Sequence, residues 1–541
     1  MSARVSDCLV GLALLCAVLI CLAFEAPAAL DFPNHYVRLW LIGGGAKISP
    51  SLDAFYAIDW SRAGVNIGGD LLVRALALIL GPDLPPRLLL AIAVVVPPLG
   101  AIVMNRGLFG GGHWWGLAAA ALAWQRTALA GFMNFQLAIG LALVAAALET
   151  GVWRTSLLVK SLVRAAITCG LLLFHPFGPL MYLCVLMGLS VGAPLRDLLT
   201  IAHWRAKAPT LLITAAAVII PFALVVALVP NPIPPADRLA TWGALSPSHV
   251  YSVITTGLQT YSSHVDLATL MALVGVASAA MLFGKVEFHA GLVLVGALLL
   301  IVSPLAPEQL GGTGWVDRRL PVMGTLILVS AIRPRIPDLR FAVAAAAALL
   351  LSVAVRSAVV ARAWASADRD ERSVEAALGS APAGARIISA ADDPPRLNIA
   401  PPGRYLRGQP MYWNFASLAL RWRGDFVPNV FTQAGQQPLR VQPRFAPIST
   451  PSGGPPSVET LSAPKLTDRE YVRLWRQCFQ YVLVMNADIA PPADRRQAAP
   501  GLQLVNDQGF AVLYRNPSSD WPSCQRAIAA QPAASGGGVR P

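Results

Sequence analysis

The sequence predicts a mainly α, polytopic membrane protein of about eleven transmembrane helices, followed by a C-terminal soluble α/β domain. Hydrophobic residues make up 55% of the 541 residues and charged ones only 13%, about half the charged share of an ordinary soluble domain. Mean hydropathy is correspondingly high, at +0.57. Long apolar runs recur from the N-terminus to about residue 363 and then stop. The expected division is 1–363 as the membrane domain, 364–530 as the folded α/β domain and 531–541 as a disordered tail rich in Gly, Ala and Pro.

The apolar runs place spans near 8–24, 87–105, 113–130, 132–149, 164–176, 178–192, 209–229, 266–283, 288–304, 320–333 and 341–363. The first, with "APAA" behind it, imitates a cleaved signal peptide, but the many later spans favour a retained helix. Lys and Arg gather in "WRTSLLVKSLVR", "LRDLLTIAHWRAK" and "RPRIPDLR", which places those connections on the cytoplasmic side. The parity then works only if 69–81, a short run interrupted by Arg74, lies along the outer interface. The N-terminus is inside. The loops 25–86, 230–265 and 305–319 and the C-terminal part are outside, as in a multi-pass protein of a bacterial-type inner or plasma membrane.

The net charge of +13 is spread over segment ends and forms neither a basic stripe nor a binding motif, which argues against a nucleic-acid partner. Cys8, Cys16, Cys21, Cys169 and Cys184 fall in apolar segments and read as small hydrophobes. Cys478 and Cys524 belong to the C-terminal part, as one disulfide or as two free thiols. In the same part "ARIISA" and "YVLVMNA" read as strands, and "LQLVND" with "FAVLYRN" as a strand pair across Gln508-Gly509. "DERSVEAALGSAP" reads as a short helix with a Gly stop.

The unusual polar material is on the outer side. The loop 25–86 is far longer than an ordinary connection, and its "DFPNHYVRLWLI" carries Asp31, His35 and Arg38 at i, i+4, i+7. A helix there puts all three on one face, as a short element at the membrane surface. Asp31 before Phe-Pro-Asn reads first as an N-cap, a role compatible with catalysis. Asp31 with Asp53 or Asp59 offers oxygen ligands for a divalent cation, or a general base with an activating partner. The spacing does not choose between these. His175 in "LLLFHPFGPL" is either an intramembrane functional group or the cap of a Pro-Gly turn. Arg318 and Arg319 in "TGWVDRRLPV" suit phosphate oxygens, or anchor a span at the headgroups. Asn134 and Gln136 read as amides that tie helices together. The C-terminal part has no His, metal spacing or nucleotide loop, so chemistry is expected at the membrane face.

An early outer Asp, a long first outer loop, many spans and a C-terminal α/β part together resemble the GT-C superfamily of integral membrane glycosyltransferases. "GPDLPPRLLLAIAVVVPPLGAIVMNRGLFG" is similar to that family's second span, and "GFMNFQLAIGLALVAAALE" to a segment of its bacterial members. "YVLVMNADIAPP" with "LQLVNDQGFAVLYRN" is similar to their C-terminal ends. The resemblance implies sugar transfer from a polyprenyl-phosphate-linked donor to an acceptor on the outer face. It makes Asp31 the catalytic carboxylate, as base or metal holder, and gives Arg318 or Arg319 the donor phosphate. Asp59, or Asp53, would fill the family's second acidic position, although neither sits in a recognisable motif. His35, Arg38 and His175 take supporting roles in substrate binding. A flippase or transporter of a lipid-linked glycan, and a non-catalytic membrane scaffold, are the alternatives.

Overall fold

A computed structural model describes residues 2–151, 156–192, 195–229, 239–392, 403–464, 467, 469–495 and 501–530. The expected tail 531–541 and parts of the connections near 153 and 230–238 lie outside the described residues. The chain is mostly helical, with a few small sheets. In order, the principal helices of the first two-thirds are α1 (Ala3–Leu22), α2 (Phe32–Ile42), α3 (Gly68–Leu80), α4 (Leu84–Phe109), α5 (Gly116–Ala121), α6 (Arg126–Leu129), α7 (Met133–Glu149) and α8 (Leu157–Phe174). They continue as α9 (Phe177–Val191), α10 (Ile201–Leu228), α11 (Pro247–Ile254), α12 (Ser263–Phe283), α13 (Ala290–Val302), α14 (Val316–Ala331) and α15 (Leu339–Leu378).

Six of these, α1, α4, α8, α10, α12 and α15, are long and apolar enough to cross a membrane. The chain is an integral, multi-pass membrane protein. Helices α7, α9 and α13 are apolar but shorter, reaching only about 20–26 Å at 1.5 Å per residue. The run 113–130 is not one helix. Gln125 is extended there, and its side-chain oxygen accepts from the amides of Thr127 and Ala128 to start α6. Residues 117–131 are buried throughout, so this run is core, not a lipid-facing span.

Helices pack closely where glycine removes the side chain. A Cβ on Gly140 of α7 would lie 2.7 Å from the Pro97 nitrogen of α4, and one on Gly100 of α4 would lie 2.5 Å from the Gly140 carbonyl. Such small-residue contacts are how membrane helices gain van der Waals energy without a hydrophobic driving force. Asn105 of α4 donates to the carbonyls of Ser330 and Ile332, at 2.9 and 2.8 Å, so this buried amide is satisfied.

Helix α15 runs unbroken for 40 residues across the expected boundary at 363/364. Its length of about 60 Å is twice a hydrocarbon core. The distal half carries Trp364, Val374 and Leu378 into the core of the C-terminal part, and the helix ends at Gly379 as its sequence signals. That core surrounds a four-stranded sheet ordered Gln503–Asp507, Ala511–Arg515, Tyr481–Met485, Ile387–Ala391. The last two strands are parallel and the other pairings antiparallel. Cys478 and Cys524 are disulfide-bonded.

The first loop belongs to the same core. Every residue of α2 is buried except His35, which is partly buried against the cavity, so α2 is a core helix and not the surface element its amphipathic pattern suggests. The C-terminal part covers it. Strand Tyr56–Ile58 pairs antiparallel with Leu439–Val441, and Tyr56 donates to the Val427 carbonyl at 3.0 Å. By contrast α3 keeps Leu71, Leu78, Ile79 and Leu80 exposed, in keeping with an interfacial helix.

Candidate active site

A cavity of about 940 Å³ opens at one end of the helix bundle, near the upper end of the volumes typical of ligand pockets. The α1–α2 connection, the starts of α3, α7 and α14, the α8–α9 turn and the end of α10 all contribute to its wall. The C-terminal part closes it.

Asp31 stands at the N-cap position of α2, where its backbone carbonyl accepts from His35 at 3.0 Å. Its side chain makes no capping bond. The carboxylate faces the cavity and accepts from Asn414 Nδ2 at 3.4 Å. The backbone is fixed from behind, because the Leu30 and Asp31 amides donate to the carbonyls of Leu129 and Ala130. Gly131 makes this approach possible. It has φ +81°, and a Cβ there would lie 3.0 Å from the Phe32 nitrogen. Burial pushes the Asp31 carboxyl up to about 7, against the opposing pull of the Arg319 charge and the Asn414 bond. A carboxylate with an affinity for protons near neutrality suits general-base work.

His35 and Arg38 line the same cavity, as their shared helix face predicts. Arg38 is committed to a buried ion pair with Asp70 of α3, so its charge is already balanced. Arg38 Nη2 lies 3.4 Å from His35 Nδ1. Burial, with the Arg38 charge beside it, holds His35 well below the usual histidine range.

The two adjacent arginines part company. Arg319 enters the cavity, 7% exposed, and donates from Nη1 to His175 Nε2 at 2.7 Å. Its guanidinium lies over Phe132, Phe135 and Phe177, 4.6–5.5 Å from the ring centres. No carboxylate is within ion-pair distance of it among the described residues. Arg318 points elsewhere, donating to Ser252 Oγ at 2.8 Å, and it does not line the cavity. His175 serves both readings. It ends α8 in the turn, with the Phe177 amide 3.2 Å from Nδ1, and it positions Arg319.

Asp59 is not brought to the cavity. It caps a short 3-10 turn, accepting from Ser61 Oγ at 2.6 Å, and its own amide donates to the Pro438 carbonyl at 2.7 Å. Asp53 is exposed on a neighbouring turn and does not line the cavity either. The pairing of Asp31 with Asp53 or Asp59 around one cation is therefore not made. Asn134 ties helices as expected, accepting from Gly69 N at 3.0 Å and donating to Asn66 O at 2.6 Å. Gln136 accepts from Gln125 at 2.8 Å within the same buried amide network.

The C-terminal part contributes more than its sequence suggests. Gln409, Asn414, Gln433, Gln436 and Gln437 line the cavity together with Trp413. Asn414 also donates to Leu30 O at 2.9 Å and accepts from Asn34, which bonds Asn429 O at 2.7 Å. Opposite stands Trp315, a bulky residue at φ +58°, a conformation that costs about 1 kcal/mol or more. Its ring packs against Phe132 and, from behind, against the guanidinium of Arg126 at 4.8 Å. Phe222 and Val226 of α10, with Val229 just beyond its end, form an apolar part of the wall.

No family model and no curated protein matches the chain. Among solved structures the chain is similar to two over most of its length. ArnT from Cupriavidus metallidurans, bound to undecaprenyl phosphate, is 13% identical with a TM-score of 0.48, over 96% of this chain and 100% of ArnT. The arabinofuranosyltransferase AftD from Mycobacteria is 15% identical with a TM-score of 0.41, over 95% of this chain and 40% of AftD. Likeness this distant carries no function with it, and the roles assigned next rest on the residues of the cavity.

Proposed function

We propose that the protein is a membrane glycosyltransferase that moves a sugar from a polyprenyl-phosphate-linked donor to an acceptor on the outer face of a bacterial-type inner membrane. One observation carries the reading: a single cavity joins a carboxylate, a guanidinium without a carboxylate partner among the described residues, an amide-and-indole wall and an apolar end beside a membrane helix. Each matches one part of the substrate. The apolar end at Phe222, Val226 and Val229 receives the first prenyl units. Arg319 meets the phosphate with charge-assisted hydrogen bonds. The amides offer both donors and acceptors to sugar hydroxyls, and Trp315 and Trp413 offer ring faces. Undecaprenyl phosphate, with which ArnT was solved, is an example of this lipid class.

In the transfer step the acceptor oxygen bonds to the anomeric carbon while that carbon's bond to the phosphate oxygen breaks. Asp31 takes the hydroxyl proton, and the polyprenyl phosphate leaves with the bonding electron pair. Arg319, fixed by His175 and three aromatic rings, stands ready for the charge that develops on the leaving phosphate. Its donation to His175 Nε2 requires an unprotonated nitrogen there, so the histidine positions Arg319 and does not supply protons from that atom.

The test is release of free polyprenyl phosphate from a labelled donor by purified protein, with an envelope extract as the source of acceptors. Asp31→Asn should lower the rate about 10²–10⁴-fold, the range for loss of a general base, while donor binding persists. Full activity in that variant overturns the assignment. Donor binding without turnover by the wild type turns the reading to a carrier or a scaffold.

A further inference from the structure

Beside the cavity, three potential ligands converge without a role in the transfer just described. His249 is on α11, Asp317 is in the first turn of α14, and Glu308 precedes the hairpin Gln309–Gly314. His249 Nδ1 lies 3.8 Å from Glu308 Oε1, and His249 Nε2 lies 3.9 Å from Asp317 Oδ2. One ligand atom from each residue falls within 4.8 Å of the others. We propose that His249, Glu308 and Asp317 bind a divalent transition-metal cation at the rim of the cavity.

The burial of Asp317 is the first argument. Its side chain is 0% exposed, and among the described residues neither carboxylate oxygen has a side-chain hydrogen-bond partner. Buried carboxylates are ordinarily paired, hydrogen-bonded or bound to metal. The adjacent guanidinium of Arg318 turns away to Ser252. A protonated His249 between the two acids is the competing arrangement, but both separations exceed hydrogen-bond length. The backbone supplies the second argument. A Cβ on Gly243 would lie 2.4 Å from Glu308 Oε1 and 3.0 Å from His249 Cε1, so the main chain packs directly against two of the three ligands. Glu308, 44% exposed in its side chain, has room to swing in and bring the ligands to bonding separation.

Ligand chemistry sets the class of ion. One imidazole nitrogen with two carboxylates suits Zn²⁺ or Mn²⁺, whereas Mg²⁺ and Ca²⁺ prefer oxygen alone. Three protein ligands leave a position open for water. Bound there, the ion ties α11 to the start of α14 two residues ahead of Arg319.

The experiment is calorimetric titration of tag-free, chelator-stripped protein in detergent, with ZnCl₂ and MnCl₂ as separate probes. One equivalent should bind, and His249→Ala and Glu308→Gln should each weaken binding at least tenfold. Glu308→Gln changes a half-exposed side chain and keeps the fold if His249→Ala does not. Co²⁺ gives a second readout, a visible absorption band lost in His249→Ala. Unchanged affinity in both variants, or no binding by the wild type, overturns the site. Both readouts follow the metal and not sugar transfer, so a failure here is distinguishable from a failure of the transferase reading.

Discussion

The carboxylate of Asp31 begins α2 through its backbone yet keeps its side chain out of the helix, turned toward the cavity. Burial raises its pKa to about 7, and a general base acts as the carboxylate. The rate should therefore rise with pH, with about one-tenth of the base ionised at pH 6 and about nine-tenths at pH 8. His35 does not confuse that limb, because burial keeps it neutral across the range. A pH profile of kcat/KM that stays flat between 6 and 8 counts against Asp31. At the neighbouring charge, Arg319→Lys should raise the KM for donor about 10–100-fold, since a planar fork stacked among three rings is replaced by a point charge. Arg318→Ala should change it far less, because that guanidinium serves Ser252. Equal effects at the two positions would remove the geometric distinction between them.

Two elements hold this geometry. The 129–131 segment grips the backbone at Asp31, and Gly131 is needed both for its positive φ and for the approach to Phe32. Gly131→Ala should cost about 1–3 kcal/mol and displace Asp31, read as a lower unfolding temperature with reduced kcat. The second element is the Asn34–Asn414 pair, which clamps α2 against the C-terminal part across 380 residues of sequence. Asn414→Ala leaves Asn34 short of a buried partner at about 1–3 kcal/mol. It also removes the hydrogen bond that holds the Asp31 pKa down, so the pH midpoint should move upward. A midpoint unchanged in Asn414→Ala would mean that this amide does not act on Asp31.

On the scale of the molecule, polar loops from both halves of the chain meet at one end of a helix bundle, with the 40-residue α15 running from the bundle into the C-terminal core. The transferase reading places that end outside. A single cysteine introduced at exposed Gln508, in a variant lacking the lipid-segment thiols, should react with an impermeant reagent in intact cells. Reaction only after permeabilisation would reverse the orientation.

Much of this was legible in the residues themselves. The Gly stop at 379 and the β-rich segments at 481–515 are local signals, and each found its element; so did the longest apolar runs. The eleven expected spans did not all become long helices, because Gln125 offers its own side chain as a helix start and divides one run. Arg318 and Arg319 were indistinguishable in sequence. Successive residues on a helix differ by about 100° in direction, and only packing decides which direction is the cavity. Asp59 looked equivalent to other loop carboxylates until the strand at 56–58 drew it onto Leu439–Val441 and away from Asp31. The glutamines of 409–437 carried no recognisable motif, and Asp70 was hidden within an apolar run. Sequence alone therefore determined that this chain enters a membrane, that its polar groups gather in a few loops, and that Asp31, His35 and Arg38 share a helix face, since these follow from composition and short-range periodicity. Which of those groups meet, which is neutralised, and which amides complete the cavity were decided by contacts between residues hundreds of positions apart, and only the packed tertiary structure brings those together.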